Sequence, residues 1–159
     1  MTTPEHPDDA TGRTTIDGVT VHWQDLRTDP AAHLVLAVGY RDAAPAQAGL
    51  SHLVEHLVMR RAAADFPTAN AYSGPDETVF HVTGSTEVRM QFLARVCEAL
   101  TWIRDVDDAS LDVERRTILA EVGEESLWAS PGPFALRFGT EDLGNLELTH
   151  GRLLDWTAV

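Results

Sequence analysis

A chain of 159 residues with 43% hydrophobic side chains has the material for one core, which excludes wholesale disorder. The net charge is −13 and every basic residue is arginine, so binding to nucleic-acid phosphates or an anionic membrane surface by charge attraction is excluded. Cys97 is the single cysteine, which excludes an internal disulfide and a thiolate zinc cluster.

Residues 1–13, "MTTPEHPDDATGR", are polar and acidic and read as a disordered tail. They lack the charged-then-apolar pattern of a secretion signal, and no apolar run reaches the length of a membrane span. The expected address is the cytoplasm, with no membrane or nucleic-acid partner. Residues 14–159 read as a single compact domain.

"GVTVHWQDL" alternates, with Val19, Val21 and Trp23 on one side, and reads as a strand. "AHLVLAVGY" is more continuously apolar, the pattern of a central strand buried on both faces. "RDAAPAQAG" is a turn leading into a helix, with Pro45 acceptable in a first helical turn. From about residue 46 to 61 the pattern is helical: Leu50, Leu53, Val54, Leu57 and Val58 recur at steps of three and four. "DFPTANAYSGPDE" breaks this helix. "NAYS" and "TVFHVTG" read as strands joined by a turn at Gly74 and Pro75. Ser85 or Thr86 can cap a second helix running to about Ile103. Cys97 falls within it and reads as a small buried residue. Ser110 is the expected cap of a third helix that continues to about Trp128, where "SPGP" stops it. Residues 134–159 have weak periodicity and read as partly irregular, with a short helix at the end. Strand, strand, helix, strands, helix, helix is an α+β arrangement: helices on one face of a mostly antiparallel sheet.

The chemistry sits in "GLSHLVEHLVMRR". On a helix, His52 and His56 lie one turn apart on the same face, so both imidazoles can address one ion. Glu55 stands beside them without being forced to ligate, where a general base belongs. Taken singly, a helix histidine is usually structural. Two at ligand spacing with this glutamate point to a site. Catalytic zinc needs a third protein ligand. Glu114 and Glu121, seven apart in "VERRTILAEVGEESL", share a face, with Ile118 between them and Leu111 and Val122 placed to seat the helix. Glu121, beside Ala120 and Val122, would be costly if buried unpaired, a cost a metal would remove. Glu124 and Glu125 read as solvent-facing. His6, His22, His33, His81 and His150 have no partner at ligand spacing in the sequence.

The H-x-x-E-H order reverses the commoner zinc-protease motif and marks the inverzincins. The surrounding sequence resembles the pitrilysin/insulinase family of zinc metallopeptidases, and within it the N-terminal catalytic half. "TTIDGVTVHW" is similar to the family's opening strand. "LVLAVGYRDAAPAQAGLSHLVEHLV" resembles its central strand, turn and zinc helix. "NAYSGPDETVFHV" is similar to its Asn-Ala segment and following strand, and "ERRTILAEV" to the helix with the distal glutamate. The likeness covers roughly residues 14–128, with four motifs in the same order.

The resemblance implies a zinc metalloendopeptidase. His52, His56 and Glu121 would ligate Zn2+, a donor set that also favours zinc on chemical grounds. Glu55 would activate water, and Glu114 matches the family's second glutamate, which supports the site. Asn70 and Ala71 match the segment along which a peptide substrate lies. The chain departs from the family in three places. "LVMRRAAAD" replaces the usual Phe-x-Gly-Thr, and the stretch between His56 and Glu121 is shorter than usual. No second half matches, and with it go the Arg and Tyr that assist the transition state. The expectation is therefore an enzyme acting on a peptide or peptide precursor, paired with itself or with a related subunit. Two other readings stand beside it: a zinc-binding subunit incomplete without its partner half, and a metal-free interaction module.

Overall fold

The computed structural model describes residues 10–25, 28–44, 47, 49–122 and 137. Contacts divide the chain at Pro30 into two units.

The first unit is a hairpin. Strands β1 (Thr11–Ile16) and β2 (Val19–Gln24) pair antiparallel, with Ile16 opposite Val19. Asp17 and Gly18 form the two-residue connection at φ 50° and 85°. Both residues of a type I′ turn need positive φ, which is why Asp-Gly serves here. Trp23 lies over Gly12, its register partner, where any Cβ would overlap the indole. The strand reading of "GVTVHW" holds. The tail assignment ran too far, because β1 begins at Thr11; its short polar residues give no alternation to detect.

Among the described residues, the second unit holds strands β3 (Ala31–Leu36), β4 (Asn70–Ser73) and β5 (Thr78–Thr83) and three α-helices. These are α1 (Leu50–Ala62), α2 (Thr86–Trp102) and α3 (Asp108–Val122). The sheet order is β3-β5-β4, with both pairings antiparallel. The α+β reading is correct: Phe80 and Val82 of β5, Leu34 and Leu36 of β3 and Ala71 of β4 all pack into one core with α1 and α2. The central strand, however, is β5. β3 is an edge strand whose residues alternate between exposed and half-buried, so its apolar run does not mark burial on both faces.

α1 is the hub. Val58 and Ala62 join Phe92, Val96 and Ala99 of α2 beneath the sheet. Leu53 and Leu57, on its other flank, hold Ile118 of α3. Fully burying such side chains stabilises by about 1.5–3 kcal/mol each. α1 begins at Leu50, later than its periodicity predicts, because Gly49 is left-handed at φ 88°. Residues 45, 46 and 48, on the expected approach, lie outside the described residues. Arg60 and Arg61 fill its last turn, where positive charge suits the helix dipole. Arg61 also sits 4.6 Å from the centroid of the Trp102 ring.

α2 starts as expected: the Ser85 hydroxyl accepts a hydrogen bond from the Val88 amide. α3 does not. Its cap is Asp107, whose carboxylate accepts from the Ser110 amide at 2.7 Å, so Ser110 is a first-turn residue. Cys97 is exposed on α2, against the expectation of burial, because Val96 and Ala99 take the inward positions. The expected extension of α3 to Trp128, Glu124, Glu125 and, apart from residue 137, the final segment lie outside the described residues. No helix among the described residues is long and apolar enough to cross a membrane.

Candidate metal centre

α1 carries the two histidines on the flank that meets α3. Their Nε2 atoms are 3.1 Å apart, with ring centroids at 4.7 Å and planes at 75°. The last turn of α3 delivers Glu121, whose Oε2 lies 3.3 Å from His56 Nε2 and 3.9 Å from His52 Nε2. The packing of Ile118 against Leu53 and Leu57 sets this approach. Glu121 follows Ile118 by three residues and so projects from nearly the same side of α3.

The donors of His52, His56 and Glu121 all lie within 4.8 Å of one another, and the three residues can hold a metal ion. Tetrahedral zinc with bonds of about 2.0–2.1 Å would separate its donors by roughly 3.3 Å. The three separations here bracket that value. The donor chemistry agrees. Two imidazole nitrogens and a carboxylate oxygen are all acceptors when deprotonated, and a cation satisfies all three together.

The support for His56 comes from Glu114. Its Oε2 is 3.4 Å from His56 Nδ1, and its Oε1 accepts from Arg60 Nη1 at 3.2 Å. Glu114 is the buried carboxylate of the pair, with 8% of its side chain exposed, whereas Glu121 is 52% exposed. The argument that Glu121 would be costly to bury therefore does not apply; it sits in the final turn at the surface. A carboxylate on Nδ1 selects the tautomer that leaves Nε2 free to ligate.

Glu55 is half-buried on α1. Burial raises its carboxyl above the ordinary value, with the charge of Glu121 acting the same way. Hydrogen bonds from Ser73 and the nearby His56 pull in the opposite direction. Ser73 closes β4 and also donates from its hydroxyl to the Ser51 carbonyl at 3.2 Å, which ties that strand to α1. The segment expected to lie along a substrate forms the other end of the same strand. Asn70 is exposed and Ala71 half-buried, and among the described residues β4 is an edge strand paired on one side only.

The structure thus brings together His52, His56, Glu121, Glu114 and Glu55, and places Asn70 and Ala71 on the strand that holds Glu55 through Ser73. Two participants were not singled out from sequence, Arg60 and Ser73. Arg60 follows His56 by four residues, so helical spacing offered a signal for it. Ser73 offered none. No protein-family model and no curated protein matches this chain.

Proposed function

We propose that this chain is a zinc-dependent peptidase that hydrolyses peptide bonds in a peptide or peptide precursor. The observation that carries the reading is the convergence of two imidazole Nε2 atoms and the Glu121 carboxylate beside a carboxyl with a raised pKa. The likeness of the surrounding sequence to the pitrilysin/insulinase family adds to it.

When bound, zinc would supply Lewis acidity and lower the pKa of water in contact with it. The chain supplies the rest. Glu55 accepts a proton from the attacking water and returns it to the leaving amine nitrogen as the carbon–nitrogen bond breaks. A carboxyl pulled upward by burial suits both halves of that task. Ser73 holds Glu55 in place, and Glu114 orients His56 with Arg60 paired to its second oxygen. An extended peptide adds alongside β4 through main-chain hydrogen bonds near Asn70 and Ala71.

Half-exposure of Glu121 favours a second reading, in which the site is completed by another copy or by a related subunit. A single cysteine suits a reducing compartment, and the reading places the protein in the cytoplasm.

Native mass spectrometry of the untagged chain beside Glu121→Gln, paired with cleavage of a mixed peptide pool, tests both readings. One zinc per chain that Glu121→Gln weakens, together with cleavage that Glu55→Gln abolishes, is the expected result. Zinc without cleavage, until a partner protein is added, selects the second reading. No zinc bound at any concentration sinks both.

A further inference from the structure

The face of the three-stranded sheet that no helix covers among the described residues carries a second histidine pair. His33 of β3 and His81 of β5 are register partners, directly opposite one another. Both alternate with residues that face the helices, Leu34 on one strand and Phe80 and Val82 on the other, so both project from the opposite face. Their rings stack with centroids 5.2 Å apart and planes at 15°. His33 is exposed and His81 half-buried. Among the described residues neither imidazole makes a hydrogen bond or an ion pair. Asn70, the register partner of His81 on its other side, turns its side-chain oxygen to the Ala71 amide.

We infer that His33 and His81 form a second transition-metal site, a two-imidazole chelate for a late first-row divalent ion. Sheet registry fixes the two Cβ atoms on adjacent strands, so the first ligand brings the second with it. The stacked rings are 5.2 Å apart, and chelation turns them out of the stack about χ2, a soft torsion in histidine, so that one nitrogen of each faces a common ion. Solvent completes the coordination, because among the described residues no carboxylate pairs with either ring. With imidazole as the only protein donor, Cu2+ is preferred over Ni2+ and Zn2+. This site is independent of the peptidase reading, since it shares no residue with the centre on α1.

Copper titration of the full chain, followed by calorimetry and by electron paramagnetic resonance, tests it. The background carries His52→Ala and His56→Ala, so the α1 centre is absent. One Cu2+ per chain with nitrogen hyperfine structure is expected in that background. His33→Phe/His81→Phe keeps the stacked rings and removes the nitrogens; it should abolish the site, and either single change should weaken it by at least about tenfold. In the chain with α1 unaltered, the same double change should lower the copper count from two to one. A titration unchanged by His33→Phe/His81→Phe would overturn the inference, leaving cross-strand stacking as the whole role of the pair and assigning the copper to other histidines. A circular-dichroism melt of each variant reports whether the sheet is intact.

Discussion

Opposing interactions act on the proton of Glu55, and burial is the largest of them. In the metal-free protein the folded state therefore holds this proton more tightly than the unfolded chain does. Its stabilising contribution is full below the unfolded carboxyl's range and is lost as pH rises through the raised folded value. Glu55→Gln should accordingly raise the thermal midpoint of the metal-free protein at neutral pH, and the gain should shrink in acid. Equal shifts in melts at both pH values would remove desolvation as the cause. Glu114 makes a different claim. It touches His56 on the nitrogen away from the metal site, so its loss should act on affinity through orientation. Glu114→Gln is expected to weaken zinc binding about 10- to 100-fold in a competition titration with a chromophoric chelator. Unchanged affinity would reduce Glu114 to an ion-pair partner of Arg60.

At the scale of elements, the metal centre depends on how α3 docks. Ile118 is almost wholly buried between Leu53 and Leu57, and Glu121 is its neighbour on the same helix. Ile118→Ala should cost about 2–5 kcal/mol in denaturant unfolding. It should also weaken zinc binding although it touches no ligand; destabilisation with intact zinc affinity would show that α3 is held by other contacts. The start of α3 rests on Asp107, whose carboxyl is lowered chiefly by the hydrogen bond from the Ser110 amide. The contribution of such a group is present above the unfolded carboxyl's range and is lost as pH falls through the folded value. Asp107→Ala should lower the melting temperature at neutral pH and make little difference in acid, while Asp107→Asn should retain capping throughout. The two variants melting alike at neutral pH would argue against the cap. The sequence reading put the cap at Ser110, three residues too late. The choice fell to Asp107 because its side chain reaches a free amide of the first turn.

For the whole molecule, three residues that can hold a metal ion are drawn from two helices, so metal binding there would be one equilibrium with tertiary structure. Zinc bound to the folded state alone should stabilise by about 2.7 kcal/mol at a free concentration one hundred times its Kd. The thermal midpoint should therefore climb with zinc, and a chelator should return it to the starting value. Glu121→Gln should flatten that dependence. A midpoint indifferent to zinc in the parent chain would mean that the three donors do not act together. The strongly negative charge works in the same direction, since a bound cation relieves self-repulsion of the folded state.

Helical periodicity around Leu50, Leu53, Leu57 and Val58, the Ser85 cap and the spacing of His52, Glu55 and His56 were all legible in the sequence. Each depends on residues a few positions apart, whose separation backbone geometry dictates. The seven-residue step from Glu114 to Glu121 put both on one helix face for the same reason. Other contacts were decided only in three dimensions. Tertiary docking made β5 the central strand, buried Glu114 while exposing Glu121, and joined Ser73 to Glu55. Strand registry set His33 against His81 across a separation of 48 positions in the chain (81 minus 33), too far for any local pattern to foresee. Such pairings follow from which apolar faces meet, and that is settled by the packing of the whole core rather than by any one segment.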